Sequence, residues 1–546
     1  MSLFEDALAP RGAALDDAHV GHIHGALGTI LHHDTGPRHG WRARLVTLLA
    51  VLGPGLIVMT GDNDAGAFAT YTQAGQNYGT TLLWTLLLLV PVLYVNQEMV
   101  LRLGAVTRVG HARLILERFG RFWGAFSVID LFILNGLTIV TEFIGISLAL
   151  DYLGLPKLVG VPLAALLVVI AAGTGSFRRF ERFSLMLVVG SFLLVPIILI
   201  AHPPLSQMAR DFMLPQLPKE GELSDVMLLI IGIVGTTVAP WQLFFQQSYV
   251  IDKRLTSRFV NYERADLVIG IVVVTVGAVA LMAFAAAAFQ GTPEYGKFTD
   301  AAGIAAGLDK YVGPVAGVLF ALALIDASII GAAAVSLSTA YAIGDVLSLK
   351  HSLHRTPGQA KVFYLVYSGL VALAAALVLI PGTPLGLLTE AVQVLAGVLL
   401  PSATVFLLLL CNDRAVLGPW VNGHSVNLFT GAVIAVLVML SIILTASVLY
   451  SDMSADAIVE LLAGGSVLAL VVFLVSDGLR RRRRGRGEGE VDRSERKAWH
   501  MPPLETLAPI RLTLGRRIWL IVLRGYLIAA CGLVIFRVVQ LAMGQG

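Results

Sequence analysis

A short run of small and acidic residues interrupts the first long apolar stretch of the chain. The segment GPGLIVMTGDNDAGAFAT, residues 53–70, places Asp62, Asn63 and Asp64 between Gly61 and Gly66. Because glycine, asparagine and aspartate disfavour helix interiors, these residues predict local unwinding, with Gly61 and Gly66 as helix breaks. A charge at mid-bilayer costs at least about 2.5–3.5 kcal/mol, so it usually marks a transport path or a charged partner. Carboxylates beside freed carbonyl oxygens form a hard oxygen site suited to a cation.

A second interruption occurs in the apolar segment GIVGTTVAPWQLFFQQSYV, residues 232–250. Pro240 removes a backbone donor and clashes with the preceding helical turn, so it predicts a break. Hydroxyl and amide side chains surround that proline, namely Thr236, Thr237, Gln242, Gln246 and Gln247. Two interrupted helices at corresponding positions in two five-span halves indicate a transporter with inverted repeats and a binding site near the midplane of the membrane.

The composition places these motifs in a membrane protein. Of the 546 residues, 56% are hydrophobic and only 14% are charged, whereas soluble domains average about 25% charged residues. The net charge of +3 gives no ground for nucleic-acid binding, and Cys411 and Cys531 lie too far apart in the sequence to suggest a disulfide framework. The sequence shows no nucleophile–base pair, nucleotide loop or zinc-ligand spacing, so neither an enzyme nor a cofactor is expected.

Recurring apolar runs of about 20 residues predict an all-α protein of twelve spans. A thirteenth apolar stretch, 518–541, is either a further span or an interfacial helix. The predicted spans are 44–76, 80–101, 123–150, 158–174, 183–201, 225–250, 265–289, 312–345, 363–381, 386–411, 427–450 and 456–476. The expected units are a tail at 1–42, repeats at 43–201 and 225–411, accessory spans at 427–477, a charged linker at 478–516 and a final segment at 517–546.

Lysine and arginine residues concentrate in alternate loops, which places the N-terminus in the cytoplasm and the protein in the cell membrane. The tail at 1–42 carries half of the twelve histidines, so it could collect metal ions. A disordered polar tail is the simpler expectation. The basic run Arg480–Arg484 is expected to face anionic lipid headgroups. A functional monomer is expected, with divalent metal ions and the bilayer as its partners.

Several short motifs, taken in order, resemble the NRAMP family of divalent-metal transporters over roughly residues 44–415. They are GPG at 53–55, Asp64, Gly66, FAT at 68–70, QAG at 73–75, LLW at 82–84, RLGAVT at 102–107, LILERF at 114–119, EFIG at 142–145 and LLLLCND at 407–413. The resemblance implies a LeuT-like fold with 5+5 inverted repeats and transport by alternating access. It also implies that Asp64 is the central metal ligand.

The sequence departs from this family at its ligand positions. The family motif Asp-Pro-Gly-Asn stands here as residues 64–67, Asp-Ala-Gly-Ala, and Met-Pro-His stands as residues 239–241, Ala-Pro-Trp. A third-span acid of the family aligns with Ile139. Loss of the thioether removes a soft ligand that favours transition metals, and a roomier oxygen site suits a partly hydrated Mg²⁺. The chain therefore resembles the NRAMP-related magnesium transporters, which also carry Mn²⁺, and this branch implies no obligatory proton coupling.

Within this resemblance, Asp64 and the backbone carbonyl of Ala239 are the principal expected ligands. Direct or water-mediated contacts are expected from Asp62, Asn63, Gln242, Gln393 and Asp326. Supporting roles are expected for Glu142 and Thr237, and Trp241 is expected to fill the volume of the missing histidine. The alternatives are a proton-coupled Mn²⁺/Fe²⁺ symporter, a cation-coupled solute symporter with a pocket around Trp241, and a metal sensor that uses the histidine-rich tail.

Overall fold

The computed structural model of the protein describes residues 17–34, 36–219, 221–382 and 384–449, and short pieces of the C-terminal region that include 493–497 and 499–507. One two-stranded antiparallel hairpin precedes the helices, with strands β1 (Ile23–His24) and β2 (Thr29–Ile30). The α-helices are α1 Gly40–Val51, α2 Pro54–Thr60, α3 Ala65–Tyr78, α4 Leu83–Thr107, α5 His111–Phe119, α6 Arg121–Tyr152, α7 Lys157–Ala172, α8 Phe177–Gly190, α9 Leu194–Ala201, α10 Leu205–Met213, α11 Leu223–Thr237, α12 Pro240–Asp252, α13 Val260–Phe289, α14 Ala301–Tyr311, α15 Pro314–Leu347, α16 Lys361–Val378, α17 Leu385–Cys411, α18 Arg414–Leu417 and α19 His424–Leu449.

Nine helices in the described ranges are long and apolar enough to cross a membrane. They correspond to nine of the predicted spans: the second, third and fifth to eleventh. The fourth predicted span is the shorter helix α7, of 16 residues, and the first is divided between α2 and α3. Apart from isolated positions, the predicted spans at 456–476 and 518–541 lie outside the described residues.

The first span is made of two short helices, α2 and α3, which both pack along one long helix, α13. An added methyl group at Gly55, in α2, would lie 2.7 Å from the backbone of Leu267, and one at Gly75, in α3, would lie 2.3 Å from the carbonyl oxygen of Met282. These two contact points are about 22 Å apart along α13, at 1.5 Å per residue. The two short helices therefore act together as one interrupted span.

The predicted span 44–76 is too long at its start. Residues 40–51 form a separate helix, α1, which is bent by 52° from α2. The bend falls at Gly53, whose φ of 151° is open to glycine but strained for other residues. Pro54 then begins α2 at a position where its missing N–H would have no helical partner in any case.

The sixth span, which is interrupted, lies inside the bundle, and the fifth and eleventh spans lie at its outside. In the most apolar stretch of the sixth span, Asp225–Asp252, 94% of the residues are buried inside the protein. The same share is 28% in the fifth span, Phe177–Ala201, and 22% in the eleventh. Since irregular backbone is tolerated at membrane depth only within protein or beside water, this arrangement accounts for the position of both breaks.

The N-terminal tail differs from the expected disordered segment over residues 17–34, here called the N-terminal hairpin. A 3₁₀ turn at Asp17–His19 is followed by β1 and β2, and the side chains of Ile23 and Ile30 are buried. Arginine side chains from α8 and from the turn after α12 donate to its carbonyl oxygens, and these long-range contacts stabilise a segment that is too polar to fold by itself.

Described pieces of the predicted linker 478–516 also contact the helix bundle. The Trp420 indole donates a hydrogen bond to the carbonyl of Arg496 at 2.9 Å, and the Ile510 N–H donates to the carbonyl of Arg118 at 2.7 Å. Beyond the linker, the Arg524 guanidinium lies 3.8 Å from the ring centroid of Phe126. These contacts fix isolated points of the C-terminal region to the helix bundle.

The close approach of α3 and α13 at Gly75 gives a test of the packing. We expect Gly75→Ala to lower the stability by about 1–3 kcal/mol, because the new methyl group would overlap the Met282 carbonyl and force the helices apart. The measurement is thermal unfolding of the purified protein in detergent. Gly136→Ala in α6 is the matched control, since its methyl group meets no described atom within 4 Å. Equal melting temperatures for the two variants would contradict this packing.

Candidate ion-binding site

The first break consists of residues 61–64, between α2 and α3. Single turns close it: the Asp62 N–H donates to the Met59 carbonyl at 3.3 Å, and the Asn63 N–H donates to the Thr60 carbonyl at 3.1 Å. Gly61 ends α2, as predicted. Gly66, in contrast, lies in the first turn of α3 and not in the break.

The second break consists of Val238 and Ala239, between α11 and α12. Neither residue is helical: Ala239 has extended backbone with ψ of 143°, and Val238 has ψ of 75°. Pro240 then opens α12 at its first helical position, where proline is favoured. The Ala239 carbonyl accepts one bond, from the Gln242 N–H at 3.2 Å, which leaves its second lone pair available.

Side-chain contacts bring the two breaks together. The Gln242 amide donates to the Asp62 carboxylate, and its oxygen accepts from the Gln97 amide at 2.8 Å. The hydroxyl groups of Tyr71 in α3 and Thr237 in α11 lie 2.7 Å apart. The structure thus places four predicted residues, Asp62, Thr237, Ala239 and Gln242, around one point where both helices are interrupted.

Three carboxylates are buried beside the first break. Asp62 and Glu142 are fully buried, and Asp64 is 3% exposed. Asp64 accepts a hydrogen bond from the Ala67 N–H at 2.9 Å, and Glu142 accepts one from the Ala65 N–H at 3.1 Å. Both acids therefore lie at the N-terminus of α3, where the helix dipole favours negative charge.

The N-terminus of α3 does not supply enough positive charge to balance three carboxylates. In the described part of the chain, no lysine, arginine or histidine forms an ion pair with Asp62, Asp64 or Glu142. An unpaired buried carboxylate is strongly unfavourable. The site therefore requires either protons or a cation from solution.

Several buried polar oxygens near the breaks have no hydrogen-bond partner among the described residues. They are Thr60 Oγ1, Asp62 Oδ2, Asn63 Oδ1, Glu142 Oε1 and Thr236 Oγ1. Buried polar groups without partners are uncommon in folded proteins. Carboxylate, amide and hydroxyl oxygens are the ligand types of hard cations such as Mg²⁺.

The acids do not form a closed metal cage by themselves. Among the described residues, no group of three or more His, Cys, Asp or Glu side chains is placed to hold a metal ion. A cation at this point would therefore need amide oxygens, backbone carbonyls or retained water in addition to carboxylates.

Gln393 and Asn63 are positioned by close backbone approaches. An added methyl group at Gly66 would lie 1.9 Å from the Gln393 amide nitrogen, so this glycine makes room for that side chain. The Asn63 amide donates to the Val274 carbonyl at 3.1 Å, next to Gly277 in the seventh span. Gln393 lies between the two broken spans, since methyl groups added at Gly66 and Gly235 would both meet it, whereas the Asn63 side chain faces the seventh span. Contact of either residue with an ion stays a prediction.

Asp326 lies apart from the other predicted residues. Its carboxylate is half-buried and faces Gly190 of the fifth span. On the same helix, α15, it is Ala334 that approaches Gly61 at the first break. Because Asp326 and Ala334 are eight residues apart, Asp326 lies about 12 Å along the helix axis from the first break, at 1.5 Å per residue.

Trp241 is positioned as a packing residue. Its ring is buried and would lie 3.6 Å from a methyl group added at Gly61, and its centroid is 6.1 Å from that of Phe245. The prediction from sequence did not include Gln97, which extends the Asp62–Gln242 contact into the second span. The run Asn96-Gln97-Glu98 within an apolar span was the available signal.

A small cavity lies beside the start of α3, next to the first break. It has room for about one water molecule and is lined by Ala65, Thr141, Gly145, Asp300 and Thr389, among others. Asp300 precedes α14 in a loop that the charge distribution assigns to the external side.

Comparisons with known proteins agree with the motifs. The family model Nramp, described as natural resistance-associated macrophage protein-like, matches residues 55–447. The divalent metal cation transporter MntH of Ralstonia nicotianae is 31% identical over 411 residues, covering 71% of this chain and 89% of the relative. MntH of Deinococcus radiodurans is 28% identical over 437 residues, covering 77% and 93%.

A solved structure of a variant of the Eremococcus coleocola manganese transporter has a TM-score of 0.62 and 22% identity, covering 84% of this chain and 96% of that one. This likeness confirms the predicted all-helical, LeuT-like fold class. These similar proteins are named as transporters and not as enzymes, as the sequence led us to expect. The family model extends over most of the chain and includes both broken spans, and the chain therefore belongs to the Nramp family.

Proposed function

We propose that this protein carries divalent cations across the cell membrane by alternating access, and that its main substrate is a partly hydrated Mg²⁺, with Mn²⁺ also carried. Transport proceeds without obligatory proton coupling. Asp64 is the central ligand, and the Ala239 carbonyl contributes from the opposite broken helix. Asp62, Asn63, Gln242 and Gln393 contact the ion directly or through its bound water.

The observation that carries this proposal is the burial of Asp62, Asp64 and Glu142 at the first break without a basic partner among the described residues. A divalent cation supplies the missing positive charge. The relatives named as divalent metal cation transporters support a metal ion as that cation.

The chemistry of the donors supports a hard ion over a soft one. Ala239 offers only its backbone carbonyl as a ligand. The oxygens around the breaks that lack a hydrogen-bond partner among the described residues belong to amide, hydroxyl and carboxyl groups. Mg²⁺ gives up water reluctantly and is usually bound by one or two carboxylates with several waters retained. An oxygen-lined site without a closed cage of acids suits such an ion.

A proton-coupled Mn²⁺ symporter is the second candidate. The structural neighbour from Eremococcus coleocola is named a manganese transporter, and Glu142 Oε1 has no partner among the described residues and could carry a proton. The solute symporter is less favoured, because Trp241 already packs against Gly61 and Phe245 where a solute would bind.

A metal sensor built on the histidine-rich tail also receives little support. The rings of His22 and His24 are 5.8 Å apart, and those of His22 and His33 are 6.4 Å apart. No set of three ligands converges on a metal position within the described residues.

Ion fluxes into liposomes test the proposed substrate and coupling. We expect Mg²⁺ and Mn²⁺ to enter, each to inhibit the other, and neither flux to need a proton gradient. An internal pH dye should report no acidification that depends on uptake. Mn²⁺ uptake that resists a large excess of Mg²⁺, or acidification in proportion to uptake, would favour the proton-coupled candidate.

Removing the central charge should abolish transport. We expect Asp64→Asn to reduce Mg²⁺ and Mn²⁺ uptake by more than about tenfold, because loss of a charged ligand is worth more than 1.4 kcal/mol. Asp309→Asn, at an exposed acid outside the site, is the matched control and should transport normally. Uptake by Asp64→Asn close to that of the control would exclude Asp64 as the principal ligand.

Restoring a sulfur ligand should change the selectivity. We expect Ala239→Met to raise the Mn²⁺-to-Mg²⁺ uptake ratio by about tenfold, because a thioether favours transition metals over hard alkaline-earth ions. Ala239→Leu has a similar volume without sulfur and controls for the lost space. The ion selectivity would not depend on sulfur if the leucine variant shifted the ratio as far as the methionine variant.

A further inference from the structure

The N-terminal hairpin, residues 17–34, is held against the start of the fifth span. The Ala26 N–H donates to the Glu181 carboxylate at 2.5 Å. Arg178 donates to the carbonyl oxygens of Gly25 and Gly28 at 2.9 and 3.0 Å, and Arg182 donates to the Ala26 carbonyl at 3.1 Å. The turn between the two strands is therefore bound by three charged side chains.

The same hairpin contacts the end of the sixth span, one of the two broken spans. Arg254 donates to the Ala18 carbonyl at 2.8 and 3.0 Å and to the His22 carbonyl at 2.9 Å. The His19 ring is 2% exposed, and its Nε2 lies 3.8 Å from the Asp252 carboxylate. A segment of eighteen residues thus joins the cytoplasmic ends of two different spans.

Contacts to further elements extend this bridge. Asp17 forms an ion pair with Arg355, after the eighth span, at 2.5 Å. An added methyl group at Gly25 would lie 2.0 Å from the Ala50 carbonyl, so the hairpin backbone lies directly on α1, the helix that leads into the first span. The hairpin therefore connects α1, which leads into the first span, with the end of the sixth span and with the segment that follows the eighth span.

A buried ion pair lies beneath the hairpin. Lys253 donates to the Glu181 carboxylate at 2.6 Å and to the carbonyl oxygens of Val51 and Leu52 at 2.5 and 2.9 Å. Both charged side chains are fully buried. Because Glu181 binds Lys253 through one oxygen and Ala26 through the other, the hairpin excludes water from the point where the first span enters the bundle.

The hairpin also forms part of the cover over a small cavity at the end of the sixth span. That cavity has room for about one water molecule and is lined by His19 together with Ser248, Ile251, Tyr341 and Asp345. Ser248 and Ile251 are 6% and 8% exposed. Removal of His19 from this position would open the sixth span to cytoplasmic water.

We propose that the N-terminal hairpin is a cytoplasmic lock, which holds the first and sixth spans closed towards the cytoplasm and detaches when the ion is released there. The inference rests on the chain being an alternating-access transporter, but not on which ion it carries. Removing the side chains that hold the hairpin should therefore favour the state that is open to the cytoplasm.

Cysteine labelling tests the lock without any transported ion. The reporter is Ser248→Cys in a full-length protein whose Cys411 and Cys531 are replaced by serine, and the probe is a membrane-impermeant maleimide added to one side of the membrane at a time. We combine Arg178→Ala with Arg182→Ala and expect labelling from the cytoplasmic side to become at least about tenfold faster. Each lost hydrogen bond to a charged group is worth more than about 1 kcal/mol, and together these losses favour the open state.

Arg179→Ala is the matched control, since Arg179 is exposed and adjacent and should leave labelling unchanged. A variant lacking residues 1–34 provides a second measurement and should label at least as fast as the double variant. Unchanged labelling in the double variant, at normal thermal stability, would overturn the lock. Failure of the Mg²⁺ proposal would leave these labelling rates unaffected, so the two inferences fail separately.

Discussion

Three buried carboxylates without a basic partner among the described residues set the main constraint on this fold. Asp62, Asp64 and Glu142 would be strongly unfavourable in hydrocarbon, and they are tolerated because two helices are interrupted around them. The N-terminus of α3 provides N–H donors to Asp64 and Glu142, and Gln242 provides one to Asp62. The remaining negative charge is the feature that makes the site attractive to a cation. In the proposed alternating-access mechanism, the interrupted helices would be the hinges that let this site be reached from either side.

Much of this arrangement could be predicted from the sequence, because the signals were local. Residues that disfavour helices, placed inside apolar runs, predicted breaks between Gly61 and Gly66 and at Pro240, and the observed breaks at 61–64 and at Val238 and Ala239 lie within or directly beside these positions. The order of motifs identified the family. The meeting of the two breaks followed from the inverted-repeat expectation. The span boundaries were less accurate, since the bend at Gly53 separates α1 from α2 without any change in hydropathy.

Features that depend on long-range contacts could not be predicted in the same way. Gln97 was not among the predicted site residues, because only the packing of the second span against the sixth brings its side chain to Gln242. Asp326 shares a helix with residues at the break but is rotated and displaced towards Gly190. The N-terminal hairpin is held by arginines that are more than 80 residues away in sequence, so its local polarity predicted disorder.

The central claim is that a hard, partly hydrated cation supplies the charge missing at the two breaks. Its most direct test is electron–nuclear double resonance of Mn²⁺ bound to the purified protein in ¹⁷O-labelled water. We predict several bound waters together with protein oxygen ligands, and loss of the signal in a variant without the Asp64 carboxylate. A Mn²⁺ ion stripped of water, or one bound at full affinity in that variant, would contradict the account.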